Sequence, residues 1–381
     1  MPRQNRFQHQ TYTAAVPRAP YRCFVPDAQP EVNSEEFKLR MQEVGRSFRA
    51  AGIEVIYLVH GTFAGDDPAG LLSELSRRMP TTGYRLRSFI KRMIDSVVGS
   101  HGNYTDDYAN LFREALNAGQ EPAIEVRCFC WSGENHHLGR ANAAVQLLAE
   151  MSEREQPGAT MLWGHSHAGN VFALMTNLLA GEQESTDSFF QAAKPYWSTL
   201  PREGKEGAAW KVMFERLLQS AKPLFARPPH ICTFGTPIRY GWESTGYKSL
   251  LHIVNHRRVP ELPDYRADFP KCAGDIQNAA GGDYVQQLGI AGTNTMPSIF
   301  TPRARRADRR LNRRLQEKGA IWRLRERLKI GMRVADEGTT LLVEYGEPEG
   351  MLPEHLAGHA VYTEPAWLLF HAEQSAIHLQ D

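Results

Sequence analysis

One serine in this chain lies in a setting whose residue types and spacing indicate chemistry. Residues 160–169 read Thr-Met-Leu-Trp-Gly-His-Ser-His-Ala-Gly, and apolar residues at helical spacing follow them. A sharp turn between a strand and a helix holds a serine hydroxyl exposed, provided that the residues two positions away are small. Gly164 and Ala168 meet this requirement. Ser166 is therefore a candidate nucleophile, and the alternative is a serine that only caps the following helix.

A second motif lies upstream, where His60-Gly61-Thr62 ends the apolar run Ile53–Val59. Such a run is typical of a buried parallel strand, and a His-Gly pair alone is a common way to end one. The two motifs in this order resemble those of the α/β-hydrolase superfamily, whose nucleophile lies in a Gly-x-Ser-x-Gly turn. This chain has Ala168 in place of the second glycine.

This resemblance implies an oxyanion hole, a pair of backbone N–H groups that stabilise the negative charge formed during acyl transfer. By position, the two donors are the N–H groups of Thr62 and His167. One such donor typically contributes about 3 kcal/mol to transition-state stabilisation. The supporting positions of the two motifs are His60, Gly61, Gly164 and Ala168.

A serine hydroxyl at neutral pH needs a base within hydrogen-bond reach. In the superfamily this base comes last in the chain, and His359 follows the strand-like run Thr340–Tyr345 through a loop rich in glycine and proline. We predict His359 as the base and keep His355 as a rival. His371 lies within the last helical pattern, 365–377, where a histidine is more often a packed or solvated side chain.

The acid that would orient the histidine is not fixed by the sequence. After the strand-like run Leu250–Val254, a stretch ending in Val-Pro-Glu-Leu-Pro resembles one in some lipases, but Arg257 stands where they have aspartate. The resemblance is loose at this point or the acid has moved, and both interpretations stay open. We predict Asp264 or Asp283 as the acid, the latter because it follows two glycines that indicate a tightly shaped turn.

Other carboxylates are further candidates for the acid. Glu243 follows the strand-like run Ile231–Phe234, and Glu261 and Asp268 lie close to Asp264 in the sequence. An acid must reach the imidazole and hold it rigidly, so distance along the chain does not decide between them. For each one, an ordinary surface carboxylate is the alternative.

The elements that must position these residues alternate along the chain. Strand-like runs, separated by helical patterns, end near His60, Trp131, Ser166, Phe234 and Val254. This alternation predicts an α/β fold with a mostly parallel central sheet and helices on both faces. Ligands of such sheets bind outside the carboxyl ends of the strands. The resemblance makes the expectation more specific, an α/β-hydrolase fold with lid-like helical inserts.

The length of the chain is consistent with one decorated domain. We assign 1–50 as a polar, proline-containing lead-in and 51–381 as the α/β-hydrolase domain. Two inserts, 84–118 and 183–226, exceed simple connections and contain helical patterns with bulky apolar residues. In lipases such inserts act as lids over an acyl pocket. Helices packed permanently as an extra layer are the alternative.

Residues 302–330 are strongly basic, with arginines outnumbering acidic residues and apolar residues at roughly helical spacing. This pattern predicts a basic amphipathic helix. Such a helix can dock on anionic lipid headgroups, and we expect contact with an anionic membrane surface as one role. A solvated helix that covers the sheet is the other.

Global composition sets further limits. The 381 residues carry a net charge of +1 and an ordinary globular composition, so no nucleic-acid partner is expected. The five cysteines are odd in number and dispersed, which favours a reducing cytoplasm. The sequence has no signal-peptide pattern and no run near the roughly 18 apolar residues of a membrane span. We expect a cytoplasmic protein and leave non-classical export open.

The adjacent histidines His136 and His137 raise the question of a metal site. Neighbouring histidines on one loop rarely bind the same ion, and no complete ligand set accompanies them. We expect no metal and no cofactor; the alternatives for this pair are substrate contact, support of the residues that form the site, and plain solvent exposure, which we favour.

Together these patterns predict a serine esterase, most similar to lipases, that cleaves carboxylic esters of lipids or phospholipids through an acyl-enzyme on Ser166. An acyltransferase or thioesterase with the same machinery is the alternative enzyme. A non-catalytic binding protein that keeps the fold is the alternative from another class, and the arginine at position 257 favours it.

Overall fold

The computed structural model describes residues 7, 16–62, 103–154, 158–180, 183–201, 203–219, 223–291, 294–315 and 328–379. Seven strands form the sheet: β1 (Tyr21–Phe24), β2 (Ile53–Val59), β3 (Glu125–Phe129), β4 (Ala159–His165), β5 (His230–Phe234), β6 (Ser249–Asn255) and β7 (Thr339–Val343).

Helices follow most of these strands. Up to β5 they are α1 (Glu35–Ala50), α2 (Asp106–Asn117), α3 (His137–Ser152), α4 (Ala168–Leu179), α5 (Gln183–Trp197) and α6 (Lys205–Gln219). After β6 they are α7 (Ala273–Gln277), α8 (Tyr284–Ala291), α9 (Pro302–Leu315), α10 (Leu352–His355) and α11 (Leu368–His378). Short 3₁₀ turns span Ser244–Gly246, Leu356–Gly358, Ala360–Thr363 and Pro365–Trp367.

Every pair of neighbouring strands in the described sheet is parallel, and the strand order is β1-β7-β6-β5-β4-β2-β3. The prediction of an α/β fold with a mostly parallel sheet is thus confirmed. Strand β3 lies next to β2 at one edge of the sheet, whereas β5, β6 and β7 follow β4 toward the other edge. The direction in which strands are added therefore reverses between β2 and β4. A crevice forms at such a reversal, outside the carboxyl ends of the two strands.

Both faces of the sheet are covered, which explains why the strands read as almost continuous apolar runs. One core packs α3 and α4 on the sheet through residues such as Leu147 and Phe172. The other packs α1, α2 and α11 through Phe48, Phe112 and Leu369. Strand β2 has the bounds predicted from its apolar run. In the described part of the chain, none of the helices combines the length and the apolar character needed to cross a bilayer.

The N-terminal boundary placed after residue 50 does not coincide with a structural one. Strand β1 pairs in parallel with β7 along its whole length, and α1 buries Phe37, Met41 and Phe48 in the core. Residues 21–50 therefore belong to the α/β domain. Strand β1 has only four residues at the sheet edge and alternates in burial, so it lacks the apolar run that marks the inner strands.

The described parts of the two predicted inserts pack against the rest of the domain in this structure. Residues 84–102 lie outside the described part of the chain, and the rest of that insert is mostly α2, which packs on β3 and α1. In the second insert, α5 and α6 bury Phe189, Phe190 and Trp210 in the core. This arrangement corresponds to the extra-layer alternative for these helices.

Candidate active site

Ser166 lies directly after β4, at the sharp turn into α4. Its φ of 55° is in the left-handed region, which a residue with a side chain adopts only when its surroundings impose it. Its N–H donates to the carbonyl of Phe234 at 2.7 Å, and its carbonyl accepts from the Thr236 hydroxyl at 2.7 Å. The β5 end of the sheet therefore fixes the strained backbone of Ser166 from both sides.

The small residues around the serine are required by close packing. A Cβ atom on Gly164 would lie 2.3 Å from the ring of Phe172 and 3.1 Å from Ala168 Cβ. A Cβ on Gly169 would lie 2.3 Å from the Thr236 hydroxyl oxygen. Strand β4 and helix α4 thus approach each other as closely as the sequence motif predicts. Ala168 is fully buried, so an alanine is accommodated where the motif usually has its second glycine.

The end of β2 contacts the serine turn directly. A Cβ on Gly61 would lie 2.6 Å from Ser166 Cβ and 3.2 Å from its hydroxyl oxygen. The backbone of residues 60–62 therefore passes beside the hydroxyl, on the side of the crevice between β2 and β4. Neither the Thr62 N–H nor the His167 N–H donates to a described residue. His167 also precedes the first turn of α4, where unpaired N–H groups and the helix dipole favour negative charge.

His60 is fixed as a structural part of this loop. Its Nε2 accepts the N–H of Trp131 at 3.1 Å, and its Nδ1 donates to the Gly61 carbonyl at 2.8 Å. This pattern requires the neutral ring, in agreement with burial, which lowers the pKa of His60. The Trp131 indole N–H in turn donates to the His60 carbonyl at 2.8 Å. His60 thus positions the backbone at Gly61 and Thr62 and is not free to transfer protons.

Replacing Gly61 by alanine tests the closeness of this loop to Ser166. The added methyl has no room beside Ser166 Cβ, so the loop must move and the Thr62 N–H with it. We expect kcat on a short-chain ester to fall about 10²-fold, the usual effect of losing one oxyanion donor. Gly204→Ala is the matched control, since its Cβ would meet nothing closer than 3.4 Å. Equal activity of the two variants would contradict the assignment of residues 60–62.

His359 is joined to Asp283 by a buried hydrogen bond. The imidazole Nδ1 lies 2.7 Å from Asp283 Oδ2, and both side chains are almost fully buried. A carboxylate can only accept, so Nδ1 carries the hydrogen and Nε2 is the nitrogen left to act as a base. The ring lies against that of His165, with 4.5 Å between centroids and 38° between the ring planes, and His165 directly precedes Ser166. The ring is therefore held beside the strand that carries the serine.

No hydrogen bond joins Ser166 to His359 in this structure, and His165 is the residue that connects them, because it precedes Ser166 and its ring lies beside that of His359. Among the described residues, none forms a hydrogen bond with Ser166 Oγ. The serine–base contact of apo enzymes is often loose and tightens when substrate binds. Ser166 itself is only 3 % exposed.

Asp283 is held by several further hydrogen bonds. Its Oδ1 accepts the N–H of Gln286 at 2.8 Å, and its Oδ2 accepts the Tyr362 hydroxyl at 3.0 Å. Arg333, fully buried, donates to the Asp283 carbonyl and to Gln286 Oε1 at 2.9 Å. A buried carboxylate is costly unless it is hydrogen-bonded and balanced by opposite charge, and these contacts supply both. Burial lowers the pKa of Arg333, while the charge of Asp283 opposes that shift.

The loop that carries His359 has an unusual backbone. Leu356, Ala357 and Gly358 all have positive φ, of 49°, 54° and 85°. Non-glycine residues persist in this region only where the surrounding structure over-determines them. Here the Asn255 amide donates to the Gly358 carbonyl at 2.8 Å and ties the loop to the end of β6. The strain is concentrated beside the candidate base, as is common at functional sites.

The structure separates the two predicted acids. Asp264 accepts from the Tyr21 hydroxyl at 2.8 Å and the Cys23 thiol at 3.7 Å, near the edge strand β1, so it does not orient His359. Arg257 donates to the Asn278 carbonyl at 3.1 Å. Glu243 and Glu261 are two of the further candidates for the acid. Glu243 directly precedes a 3₁₀ turn, and its N–H donates to the Thr176 hydroxyl at 3.3 Å. Glu261 is exposed, and its φ is 76°.

Asp283 lies beside the end of β6, close to the stretch in which Arg257 lies. Its N–H donates to the Asn255 carbonyl at 3.0 Å, and Gly282 pairs with His256 as an antiparallel bridge. Gly282 has a φ of 86°, and a Cβ there would lie 2.4 Å from the Asn255 carbonyl oxygen. The Gly281-Gly282 pair therefore lets a later loop dock against the end of β6 and bring its carboxylate there.

The rival histidines are placed elsewhere. His371 Nε2 pairs with the Tyr345 hydroxyl at 2.7 Å inside the core. His355 is buried, and neither of its ring nitrogens has a hydrogen-bond partner among the described residues. Burial lowers the pKa of both rings, for His371 to about 3. Neither ring contacts a carboxylate in the way that His359 does.

Sequence reasoning missed four residues that position the site. These are His165, Asn255, Tyr362 and Arg333. Tyr362 accepts the Asn255 N–H at 2.6 Å while it donates to Asp283, so it connects β6 with the acid. The sequence does contain one signal, because Tyr362 lies three residues after His359 at the spacing of one turn. Arg333 has no such signal.

The pair His136-His137 begins α3. His136 Nδ1 accepts the Gly139 N–H at 2.8 Å as the N-cap, and His137 contacts the Tyr240 hydroxyl at 2.7 Å. No group of three or more potential metal ligands forms among the residues that the structure describes. His137 is therefore part of a buried hydrogen-bonded network behind the site, which also includes Arg140 and Asn294.

Burial and nearby arginines disfavour a positive charge on the imidazole rings of His167 and His137. The pKa of His167 lies well below its ordinary value, first because of burial and then because Arg140 and Arg239 are close. The same causes depress the pKa of His137. Both rings are thus neutral at pH 7, and the guanidinium groups of Arg140 and Arg239 supply positive charge in this region.

Chemically, the arrangement offers a serine hydroxyl, a histidine oriented by a buried carboxylate, and the N–H groups of Thr62 and His167, which donate to none of the described residues. It lies at the carboxyl ends of β2 and β4, where the strand order reverses. Comparisons of the chain with protein-family models, with curated proteins and with solved structures find no match. The function is therefore inferred from the site itself.

Proposed function

We propose that this protein is a serine hydrolase of carboxylic esters with an α/β-hydrolase fold. The observation that carries the proposal is the combination of a strained Ser166 at the end of β4 with the buried 2.7 Å hydrogen bond between His359 and Asp283. A buried carboxylate bonded to an imidazole Nδ1 is the arrangement that leaves Nε2 as a base. The proposed substrates are acyl esters of lipids.

In the proposed reaction, Ser166 Oγ attacks the ester carbonyl carbon while His359 Nε2 takes its proton. The carbonyl oxygen becomes an oxyanion that accepts from the N–H groups of Thr62 and His167. As the tetrahedral intermediate collapses, the bond to the alkoxy oxygen breaks and His359 passes its proton to the leaving alcohol. Water then attacks the acyl-enzyme by the same steps and releases the carboxylic acid. Asp283 stays ionised and stabilises the imidazolium.

Covalent labelling by a fluorophosphonate tests the proposal directly, because only an activated serine reacts with it at an appreciable rate. We expect the full chain to be labelled once, on Ser166, as located by peptide mass spectrometry. A non-catalytic protein of the same fold would remain unlabelled. Labelling on another serine would overturn the assignment of the nucleophile.

The base can be tested with the same probe. His359→Ala removes the group that accepts the serine proton, so we expect the labelling rate of Ser166 to fall about 10²-fold or more. His355→Ala removes a histidine of the same loop that contacts neither Asp283 nor Ser166 through a hydrogen bond, and should label near the unchanged rate. The opposite result would mean that His355 is the base. Thermal melting of both variants checks that they are folded.

Hydrolysis and acyl transfer are separated by the products. With a nitrophenyl ester as donor, water alone should yield free acid. If an added alcohol or thiol captures most of the acyl group at millimolar concentration, the protein is an acyltransferase with the same machinery.

A further inference from the structure

The strongly basic helix α9 has two distinct faces. One face packs against α5 and α3 and buries Ala304, Ala307, Leu311 and Leu315. The opposite face carries most of the seven arginines of the helix, spaced three and four residues apart, at positions 303, 306, 309, 310 and 313. The residues 316–330 of the predicted basic segment lie for the most part outside the described chain.

The described residues do not neutralise the arginines of this face. The only acidic residue of α9 is Asp308, which is buried and accepts the Leu138 N–H at 2.9 Å. None of the arginines at positions 303, 306, 309, 310 and 313 forms an ion pair with a described carboxylate. The alternative role, a solvated helix that covers the sheet, requires only the apolar face of α9. That role does not explain why so many arginines without a described acidic partner are clustered on the other face.

Two large apolar side chains lie immediately before the helix. Ile299 is 68 % exposed and Phe300 is 86 % exposed, and the latter is the most exposed large apolar residue described. Four arginines, together with Pro302 and Asn312, also line a shallow hollow on the same face of the helix. Guanidinium groups bind phosphate through paired hydrogen bonds, so this hollow has the chemistry of a phosphate-headgroup site.

We propose that residues 299–315 form a surface that binds an anionic lipid bilayer, here called the basic surface. The arginines contact lipid phosphates, while Ile299 and Phe300 enter the boundary between headgroups and acyl chains. An exposed apolar pair beside unpaired arginines fits this partner better than a nucleic acid, whose backbone would leave the aliphatic Ile299 without a contact.

The position of the basic surface connects it with the candidate active site. Helix α9 is fixed to the start of α3 through Asp308 and through Asn312, whose Oδ1 lies 3.1 Å from His137 Nε2. Helix α3 begins after the carboxyl end of β3, and Trp131 of that connection is bonded to His60. The basic surface is thus anchored near the carboxyl ends of the strands, which is the side of the sheet where Ser166 also lies. It extends the proposed function, since it would bring that side to phospholipid substrates.

The test measures sedimentation of the full chain with vesicles. It uses Ser166→Ala as the background, so that binding does not depend on hydrolysis. We expect binding to vesicles of phosphatidylcholine with 30 % phosphatidylglycerol to be at least about 10-fold tighter than to phosphatidylcholine alone, and to weaken at 0.5 M NaCl, because salt screens charge attraction. Equal binding to both kinds of vesicle would overturn the proposal.

Charge reversal locates the surface. Arg306→Glu, Arg309→Glu and Arg313→Glu combined should weaken binding to the anionic vesicles by about 100-fold, since each arginine near an anionic surface strengthens binding roughly five-fold. The matched control is Lys38→Glu, Arg113→Glu and Arg227→Glu, which makes the same change in net charge at exposed positions on other elements. If both triple variants lose binding equally, the basic surface is not the site.

Three further measurements distinguish the possible explanations of a loss of binding. Phe300→Ser leaves the charge unchanged and should weaken binding about 10-fold, with the residual binding more sensitive to salt. Tighter binding of the parent protein to an RNA or DNA oligonucleotide than to anionic vesicles, at the same salt, would overturn the lipid assignment. Hydrolysis of a water-soluble ester by the active chain carrying the three α9 substitutions should stay unchanged, so failure of this proposal and failure of the esterase proposal are distinguishable.

Discussion

Ser166→Ala is expected to reduce kcat for ester hydrolysis by at least about 10³-fold while leaving the fold intact. In the proposed reaction this hydroxyl forms the acyl-enzyme, and loss of the nucleophile removes nearly all triad catalysis. The hydroxyl oxygen has no hydrogen-bond partner among described residues, so its removal leaves no buried group unsatisfied. Purified wild-type and variant proteins are compared on nitrophenyl esters of increasing acyl length, and the melting temperature is measured for each.

The control for this variant distinguishes the hydroxyl from the turn that holds it. Ser166→Gly also removes the nucleophile, but glycine adopts a φ of 55° without strain. We expect both variants to be inactive and Ser166→Gly to unfold at a temperature equal to or above that of Ser166→Ala. Activity of either variant within 10-fold of wild type would rule out Ser166 as the nucleophile.

The sequence predicted those parts of the fold that depend on local pattern. Strands buried on both faces must be continuously apolar, and so β2 and β4 could be recognised from their residues alone. The serine turn requires small neighbours, which makes Gly164 and Ala168 visible as well. Strand β1 was missed because it is a short edge strand with alternating burial, and such strands have no distinctive composition.

The acid could not be chosen from the sequence because its position depends on contacts between distant segments. Asp283 and His359 are brought together by a loop that docks on β6 through Gly282 and Asn255. Asp264 is nearer in sequence to the expected position, yet its partners are Tyr21 and Cys23 of the edge strand. The role of Arg333 could not be predicted for the same reason. An arginine is recognised as the counter-charge of a buried carboxylate only when its neighbours in space are known.

The arrangement also bears on Arg257, which stands where the resemblance to lipases predicts an aspartate. The Asp283 carboxylate reaches the end of β6 from a later loop, and the Arg257 side chain turns away to Asn278. The carboxylate is then bonded by Tyr362 and Gln286 and lies near the charge of Arg333. An acid supplied from a separate loop is thus compatible with the fold, and the arginine is not by itself a sign of lost catalysis.

Asp283→Asn is expected to lower kcat by about 10⁴-fold, although it preserves the shape of the side chain. Oδ1 of Asp283 accepts the Gln286 N–H, so the asparagine keeps its oxygen there and turns its NH₂ group toward His359. Nδ1 must then accept, which moves the ring hydrogen to Nε2 and leaves no base for the serine proton. Single-turnover hydrolysis of a nitrophenyl ester measures the effect.

Asp264→Asn is the matched control for this prediction. It makes the same chemical change at the other predicted acid, whose partners are the Tyr21 hydroxyl and the Cys23 thiol. We expect activity within about 3-fold of wild type and a loss of stability of about 1 kcal/mol, the usual contribution of such a hydrogen bond. If Asp283→Asn keeps more than a tenth of wild-type activity while His359→Ala is inactive, the protein works with a serine–histidine dyad. In that case the buried carboxylate only supports the loop that holds His359.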